Sequence, residues 1–584
     1  MKINRIKINN YRNLRDIDIH ISDIVAVIGE NNSGKSNFLR AITLPFLTDE
    51  YSQVNKNLSW AEVNRDAKNE YYSKVIKYQD AILKDTMSEL DFMNLLPIVS
   101  VEVELKPDKT EAFFVKDLSF DVCDDDIKYG LRYEFKPAKI DKIMKVVKNV
   151  LSKKHYSTLD EINEIKMNLL PIEYYSYSIY VPGKESVPYD VLKLYKYTAL
   201  EAERDDFSRT KDRIGSKALI KLFQSRLEND DKIKIEEEYT RFFDQVKSIS
   251  KIDSLINWHE TSNIQEAKRF FSHVSILPNM PSMQSLLSSV RLGYDEETLS
   301  LQGLGYRNLI LLFILVHSLV EKQDDIALNI LTIEEPESHL CINNIRLMVS
   351  FFKAFAINNH IIQLFYSTHD TEFINKMKLE NVVIIHDGQA FSFKDELKEE
   401  ELDYLSKNPN LDLFKLFFSK KCLVFEGVTE ELLIRSYIDS KKELNDIELI
   451  SFHKGFTKLI EIWKKVNKKT KNRLGIIRDY DNQPKAKEKH NEFNDDLICI
   501  RTTKGYTLET DLINTGDNYQ ILKKRYGEVL GWANLDKEEM EKAWKEAKAS
   551  DMLIICKDIV NGKLSNLDMP SHIQEVLDFL NRKE

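Results

Sequence analysis

The stretch that decides the fold is Gly29-Glu30-Asn31-Asn32-Ser33-Gly34-Lys35-Ser36, which directly follows the apolar run from Ile24 to Ile28. It matches the phosphate-binding pattern G-x-x-x-x-G-K-S, in which backbone N–H groups and the start of a helix hold phosphates. In that pattern Lys35 contacts the β- and γ-phosphates and Ser36 offers its hydroxyl to Mg²⁺. The preceding strand and the apolar helix after it disfavour a chance match. The predicted nucleotide-binding residues of this loop are Asn31, Asn32, Gly34, Lys35, Ser36 and Asn37.

A second apolar strand, from Asn329 to Ile333, ends in the adjacent carboxylates Glu334 and Glu335. Nucleotide hydrolysis requires an acidic residue on a strand near the phosphate loop. We therefore assign Glu334 to Mg²⁺, directly or through water, and Glu335 to polarising the attacking water. Two adjacent carboxylates are costly to bury without a cation, so a purely structural role is the weaker interpretation.

Two further segments fit the same nucleotide site. The turn from Ser300 to Arg307 contains Gly303 at a helix start, which is another anion-binding geometry. Its position about thirty residues before the acidic strand is similar to the signature segment of ATP-binding cassettes, which completes the phosphate site of a neighbouring copy. His369 follows the apolar strand from Ile361 to Tyr366 and is placed to contact a γ-phosphate; the alternative is a structural histidine.

Length and composition indicate an ordinary multi-domain globular protein. The 584 residues are enough for about three or four domains. Five cysteines without a closely spaced pair indicate neither a zinc site nor a disulfide framework, which fits a reducing cytoplasm. No signal segment or bilayer-spanning run is present, so we expect a cytoplasmic protein that does not bind a membrane. The net charge of −10 argues against a chain coated in nucleic acid, but it leaves room for a local basic groove.

The last third of the chain begins a new α/β pattern after a polar stretch from Lys394 to Asn410. One apolar strand, from Cys422 to Phe425, runs into Glu426 and then into Glu430 on the first helical turn. The next apolar strand, from Leu474 to Ile477, runs into two more carboxylates, Asp479 and Asp481. Carboxyl ends of strands are the usual place for a site in an open α/β sheet. The alternative is a set of solvated loop acids.

These motifs together resemble a known family. The segment from Asn10 to Leu14, the phosphate loop, the glycine turn, and the Glu-Glu-Pro-Glu-Ser-His and Ser-Thr-His-Asp runs are similar to the split cassette ATPase of the SMC, RecF and OLD (overcoming lysogenisation defect) group. The segment from Lys420 to Glu584 resembles a Toprim domain. The combination is specific to OLD nucleases, including their Gabija-type antiphage members.

The resemblance implies a multi-domain α/β fold, in which a split ABC-type ATPase with a helical dimerisation insert is followed by an α/β Toprim domain. The expected units are the N-terminal part of the ATPase (1–200), a helical arm or dimerisation insert (201–270) and the C-terminal part of the ATPase (271–395). A linker (396–415) and the Toprim nuclease domain (416–584) follow.

The resemblance also implies site residues in the last third. Glu426, Glu430, Asp479 and Asp481 would bind one or two divalent ions, with Glu509 as an additional ligand. A lysine near the C-terminus would stabilise the reacting phosphate, and Lys548 matches its position better than Lys563. Ile477 stands where some relatives have a small hydroxyl residue. With the nucleotide site included, the implied metal ligands are Ser36, Glu334, Glu426, Glu430, Asp479, Asp481 and Glu509, and the implied catalytic residues are Glu335, Glu426, Asp479, Asp481 and Lys548.

The function that follows is an ATP-binding, Mg²⁺- or Mn²⁺-dependent endonuclease that cuts double-stranded DNA by two-metal chemistry, under control of the ATPase, in defence against phage or plasmid DNA. The resemblance implies a homodimer or homotetramer formed through the ATPase and the helical arm, and it allows a helicase-like or other defence-system partner. Two alternatives remain open. One is a non-nucleolytic ATPase sensor that controls an effector protein, and the other is a RecF-like DNA-binding repair mediator.

A run of basic residues between the two acidic strands is a candidate DNA contact, because it would attract the phosphate backbone. A solvated helix end explains the same run equally well. Its members are Lys464, Lys465, Lys468, Lys469, Lys471 and Arg473.

Overall fold

The computed structural model describes residues 1–48, 55–108, 110–123, 126–184, 186–201, 214–250, 283–287, 290, 292–294, 297–320, 326–358, 361–370, 373–374, 378–407, 411–441, 444–452, 455–480 and 483–582. The strands are β1 (Lys2–Tyr11), β2 (Leu14–His20), β3 (Ile24–Ile28), β4 (Leu47–Thr48), β5 (Val99–Lys106), β6 (Ser119–Cys123), β7 (Asp126–Pro137), β8 (Tyr175–Tyr180), β9 (Tyr195–Leu200), β10 (Gly293–Tyr294), β11 (Glu297–Thr298), β12 (Leu328–Glu334), β13 (Ile362–Ser367), β14 (Val382–His386), β15 (Gln389–Ser392), β16 (Lys421–Phe425), β17 (Glu448–Ser451), β18 (Arg473–Arg478) and β19 (Ile498–Thr502).

The helices lie between and after these strands. They span Lys35–Thr43, Arg65–Lys77, Gln79–Leu83, Glu89–Met93, Ala112–Val115, Ile140–Leu151, Lys166–Leu169, Tyr189–Leu192, Ile214–Arg226, Asn229–Ser250, Met283–Leu287, Leu304–Val320, Ile342–Asn358, Phe393–Glu396, Glu399–Ser406, Val428–Ser440, Phe456–Val466, Pro484–Asn491, Leu508–Asn514, Asn518–Tyr526, Lys537–Ala547, Ala549–Val560 and Ser571–Leu580. Both element types occur along the whole described chain, so the predicted mixed α/β class is confirmed.

The central sheet has the strand order β15-β14-β3-β13-β12-β9-β4. Its strands are parallel except for the hairpin of β14 and β15. β3 lies two places from β12, with β13 between them, and Glu334 at the end of β12 is in register with Ser367 at the end of β13. The carboxyl ends of these three strands therefore meet at one edge, where a ligand site of a parallel sheet is expected.

Successive side chains of β3 point alternately into two hydrophobic cores, one on each face of the central sheet. Val25 and Val27 face the core that the central sheet shares with the antiparallel sheet of order β2-β1-β5-β7-β6, onto which β8 adds beside β7. Ile24, Ala26 and Ile28 face the core on the opposite side of the sheet, which we call the second core. A strand buried on both faces reads as a continuous apolar run, which is why the residues before the phosphate loop show no polar alternation.

The second core extends without interruption into the last third of the chain. There the all-parallel sheet β17-β16-β18-β19 contributes Cys422, Val424 and Leu474 to the same cluster that holds Ile28. A third cluster packs the opposite face of this sheet against the C-terminal helices. The phosphate loop and the C-terminal sheet therefore belong to adjoining, packed parts of the molecule.

Residues 396–415, predicted to be a linker, are mostly helical. They contain the helix Glu399–Ser406 and the start of the 3-10 helix Leu411–Phe417, and they bury Leu405, Leu413 and Phe414 in the second core. The polar composition suggested a solvated connector, but its apolar side chains attach it to both neighbouring sheets.

The helical arm predicted for 201–270 is described only between 214 and 250, together with residue 201. The helices Ile214–Arg226 and Asn229–Ser250 lie there, and the remaining residues of the prediction are outside the described ranges. No side chain of Asn229–Ser250 is buried, and Phe242 and Ile249 are 61% and 82% exposed. Within the described part of the chain, this helix therefore presents apolar side chains to solvent.

No helix in the described ranges combines the length and apolarity needed to cross a membrane. The apolar run near residue 310 forms the helix Leu304–Val320, which buries Leu312, Leu315 and Val316 in the second core.

Candidate functional site

The phosphate loop connects β3 to the helix Lys35–Thr43, as the sequence predicts. Gly34 has a φ of +115°, and a Cβ there would lie 2.5 Å from Asn13 Nδ2. Only glycine allows this backbone and this close approach without strain. Asn31 and Asn32 lie exposed on the outer turn of the loop, where their side chains can reach a ligand.

Lys35 is folded back onto the loop. Its Nζ donates hydrogen bonds to Gly29 O at 2.8 Å and Glu30 O at 2.9 Å. Burial lowers the pKa of Lys35, and the nearby carboxylates of Glu335 and Glu337 oppose that effect. An ammonium group that lies at a helix N-terminus, next to the backbone of the phosphate loop, is suited to bind phosphate oxygens.

A side-chain network holds the loop from the β1–β2 turn. Asn13 Nδ2 donates a hydrogen bond to Ser33 O at 2.7 Å, and Asn13 Oδ1 accepts one from Asn37 Nδ2 at 2.8 Å. Arg12 Nη1 donates to Asn37 Oδ1 at 2.8 Å. Asn37 was predicted to bind nucleotide, and the structure places it within this support. The role of Asn13 in fixing the loop was not predicted, because its contact spans 20 residues and belongs to no local pattern.

The structure brings the two predicted Mg²⁺ residues together across 298 positions. Ser36 Oγ donates a hydrogen bond to Glu334 Oε2 at 2.7 Å. A hydroxyl and a carboxylate at this distance are the oxygen pair that a nucleotide-bound Mg²⁺ prefers.

Glu335, Glu337 and His369 form a second group at the same edge. His369 Nδ1 lies 3.7 Å from Glu335 Oε1 and 3.6 Å from Glu337 Oε1. Glu335 has a φ of +42°, a conformation that is costly for a side chain larger than hydrogen, and its N–H donates to Ser367 O at 3.1 Å. Glu337 is 7% exposed, whereas the imidazole of His369 is 58% exposed. His369 therefore stands at the surface of the site with a buried carboxylate behind it.

The glycine turn predicted to serve a neighbouring copy lies at the start of the helix Leu304–Val320. A Cβ on Gly303 would meet no atom of the described residues within 4 Å, so this side of the turn is open with respect to them. Asn308 Nδ2 donates to Ser338 O at 3.1 Å and to Pro336 O at 3.5 Å, which ties the turn's helix to the loop after Glu335.

In the C-terminal sheet, the predicted carboxylates follow neighbouring strands. Glu426 follows β16 and Asp479 follows β18, and Phe425 and Ile477 are in register at the ends of these strands. Glu430 lies on the first turn of the helix Val428–Ser440 and is 2% exposed. Asp481 lies outside the described residues.

Glu430 and Glu509 interact electrostatically. Burial raises the pKa of Glu430 to about 7, and the negative charges of Glu509 and Glu426 add to that rise. Glu509 is itself 2% exposed, on the helix Leu508–Asn514. The charges of Glu509 and Glu426 thus act on Glu430, but among the described residues no group of three or more His, Cys, Asp or Glu side chains that could hold a metal ion is found.

Asp511 supports this cluster and was not predicted. It accepts from Lys504 N at 2.7 Å and Gly505 N at 2.6 Å, and His572 Nδ1 lies 3.1 Å from its Oδ2. Burial raises the pKa of Asp511, but these partners outweigh burial and the net pKa is lowered. The turn that precedes Glu509 is therefore fixed by a single buried carboxylate.

We expect Asp511→Ala to lower the free energy of unfolding of the C-terminal region by about 1–3 kcal/mol, because the backbone N–H groups of Lys504 and Gly505 lose a charged acceptor and His572 loses its ion-pair partner. Urea denaturation followed by tryptophan fluorescence measures the change, since Trp532 and Trp544 are buried in this region. Asp517→Ala is the matched control, because Asp517 is exposed and its side chain makes no capping hydrogen bond. Equal stability of the two variants would contradict the prediction.

Neither candidate lysine is placed beside the carboxylates by a contact in the described structure. Lys548 is an exposed residue between the helices Lys537–Ala547 and Ala549–Val560, with a φ of +36°. Lys563 lies 3.8 Å from Asp558. The assignment of a phosphate-stabilising lysine therefore stays a prediction.

Three of the six residues of the predicted basic run pair with carboxylates of the described chain. Lys464 pairs with Asp495 at 2.8 Å, Lys468 pairs with Glu396 at 2.7 Å, and Lys465 pairs with Glu401. Lys465 and Lys468 thus join the C-terminal domain to the helices that precede it. These contacts favour the interpretation of a structural surface over that of a DNA groove.

Comparisons with known proteins agree with this arrangement. A family model described as AAA ATPase domain matches residues 1–374. The chain is similar to Endonuclease GajA of Bacillus cereus (strain HuB5-5), with 21% identity over 489 residues that cover 76% of this chain and 68% of that protein. This coverage exceeds the 374 of 584 residues in the family match, so the similarity extends beyond the ATPase region. The predicted resemblance to an endonuclease that carries an ATPase domain is confirmed.

Solved structures with some likeness include the SMC head domain from Thermotoga maritima, at 15% identity and a TM-score of 0.26, covering 67% of this chain and 97% of that one. Another is the recombination mediator protein RecF, at 14% identity and a TM-score of 0.29, covering 67% of this chain and 98% of that one. These TM-scores are too low to carry an argument.

Proposed function

Because this chain belongs to the AAA ATPase domain family, we propose that it is a divalent-metal-dependent DNA endonuclease whose cutting is controlled by ATP binding and hydrolysis. ATP would bind at the phosphate loop, with Lys35 on its phosphates. Ser36 and Glu334 would hold the accompanying Mg²⁺, and Glu335 would polarise the attacking water. The observation that carries this half of the proposal is the 2.7 Å contact between Ser36 and Glu334.

We propose that the nuclease centre lies at the carboxyl edge of the C-terminal sheet. Its support is the buried cluster of Glu430 and Glu509 beside Glu426, because carboxylates that repel one another are stabilised by a shared cation. Oxygen donors of this kind suit Mg²⁺ or Mn²⁺. Glu426, Glu430, Asp479, Asp481 and Glu509 would hold one or two ions. Such ions supply an activated water and neutralise charge on the leaving oxygen.

Control by ATP has a direct structural route. Glu30, in the phosphate loop, accepts a hydrogen bond through Oε1 from Lys420 N at 3.1 Å, immediately before β16. The same β16 ends next to Glu426, and the second core is continuous between the two parts. A rearrangement of the loop on nucleotide binding would thus reach the strand that presents a proposed metal ligand.

We propose double-stranded DNA as the substrate and a homo-oligomer as the active form, in defence against phage or plasmid DNA, with a helicase-like or other defence-system protein as a further partner. Similarity to Endonuclease GajA supports the substrate class. The exposed apolar side chains of Asn229–Ser250 and the open side of Gly303 support assembly, because both surfaces suit contact with a second copy.

Cleavage of supercoiled plasmid tests the proposal. We expect the purified chain to nick or linearise plasmid with Mg²⁺ or Mn²⁺, and we expect added ATP to change the rate. The double variant Asp479→Ala, Asp481→Ala should reduce cutting below detection while ATP hydrolysis persists, because only the C-terminal carboxylates are removed. Asp439→Ala, an exposed acid of the same domain, is the matched control. ATP hydrolysis without cutting in any lane would instead favour an ATPase sensor.

A further inference from the structure

Glu337 is a buried carboxylate that the proposed ATPase mechanism does not use. It is 7% exposed, and its Oε2 has no hydrogen-bond partner among the described residues. Burying a carboxylate in this way costs free energy, so a carboxylate is a poor choice for mere packing. Its position, two residues after Glu335, places it under the nucleotide site.

The other oxygen of Glu337 connects two loops. Oε1 accepts from Thr368 Oγ1 at 2.6 Å and from His369 N at 3.2 Å. Glu337 follows β12 and the two donors follow β13, so one side chain joins the carboxyl ends of two neighbouring strands. Asp370 N in turn donates to Thr368 Oγ1 at 3.0 Å, which continues the network along the second loop.

The charge of Glu337 also acts on the groups that would contact phosphate. Its Oε1 lies 3.6 Å from His369 Nδ1, and its negative charge raises the pKa of Lys35 against the effect of burial. With Nδ1 turned toward the carboxylates of Glu335 and Glu337, the opposite ring nitrogen of His369 faces away from them. Both carboxylates lie within ion-pair distance of Nδ1, and a carboxylate close to one ring nitrogen is a general way to orient a histidine.

We propose that Glu337 is a positioning residue for ATP hydrolysis, which fixes the loop after β13 and directs Nε2 of His369 toward the γ-phosphate. This inference rests on the proposed ATPase function. Glu337 acts through His369 and does not itself touch the nucleotide.

The test compares Glu337→Ala and Glu337→Gln in the full chain by steady-state ATP hydrolysis. We expect Glu337→Ala to lower kcat by about 10- to 100-fold while KM changes by less than about 3-fold, because Lys35, Ser36 and Glu334 remain in place. Glu337→Gln keeps an oxygen acceptor for Thr368 and His369, so it should restore part of the lost rate. Glu380→Ala, which removes an exposed carboxylate of the same part of the chain, should leave kcat unchanged and serves as the matched control.

A double-mutant cycle with His369→Ala separates positioning from a purely structural effect. If Glu337 acts through His369, then Glu337→Ala should cause little further loss in the His369→Ala background. Fully additive losses, or a Glu337→Gln variant that melts at the parental temperature and hydrolyses no faster than Glu337→Ala, would overturn the proposal for Glu337 alone. Absence of ATP hydrolysis by the parent chain would overturn the ATPase function and, with it, this inference.

Discussion

Lys35→Ala should abolish ATP-dependent behaviour, with hydrolysis lowered by at least about 10²–10³-fold. Lys35 is the one ammonium that the loop encloses, and its Nζ now contacts Gly29 O and Glu30 O, where phosphate oxygens would compete for it. Removing a preorganised charged donor from a partly buried site produces losses of this size. Hydrolysis is measured by phosphate release, and nucleotide affinity by titration calorimetry.

The fold of the loop should survive this substitution. Gly34 keeps its backbone conformation, and the bond from Asn13 Nδ2 to Ser33 O does not involve Lys35. Lys84→Ala, which changes an exposed lysine of the ATPase part, is the control and should keep the parental rate. Plasmid cutting by Lys35→Ala should no longer respond to ATP. Hydrolysis at the parental rate would contradict the assignment of the loop.

The nucleotide site could be predicted well because its parts lie in local patterns. The loop from Gly29 to Ser36 needs glycine at a left-handed position, and β12 is a run of apolar residues that ends in acids. Each of these two patterns is set by the backbone conformation or burial of a segment of about ten residues, so it is visible in the local sequence. Parallel pairing of β3, β13 and β12 then brings Ser36 to Glu334, which follows once the strand order is known.

The supporting residues could not be predicted because their contacts are distant in sequence. Glu337 meets Thr368 after 31 positions, and His572 meets Asp511 after 61 positions. Glu337 and Thr368 lie in visible motifs, but no motif shows that their side chains meet. The basic run from Lys464 to Arg473 left a DNA contact and a solvated helix end equally open. Its charge density is visible in the sequence, but Glu401 and Glu396, the partners of Lys465 and Lys468, lie in the preceding segment and are not.

Glu430→Gln should abolish plasmid cutting and at the same time stabilise the metal-free protein. The amide removes one negative charge from the buried cluster with Glu509 and Glu426, and it keeps nearly the same shape. Burial and these neighbours raise the pKa of Glu430 from 4.5 to about 7. One unit of pKa corresponds to about 1.4 kcal/mol, so we expect a gain of about 1–3 kcal/mol near pH 7.5, where the parent must hold this carboxylate ionised.

Thermal unfolding in a chelator measures that gain, and a second scan with Mn²⁺ separates a metal site from a packing effect. The parent should be stabilised by Mn²⁺, because an ion that binds only the folded state raises its stability by mass action. Glu430→Gln should respond much less. Glu431→Gln is the matched control, since the carboxylate of Glu431 pairs with Arg435 at 2.9 Å on the helix surface. If Glu430→Gln melted below the parent and still cut plasmid, Glu430 would be a structural acid, and the proposed nuclease centre would lose one of its two fully buried ligands.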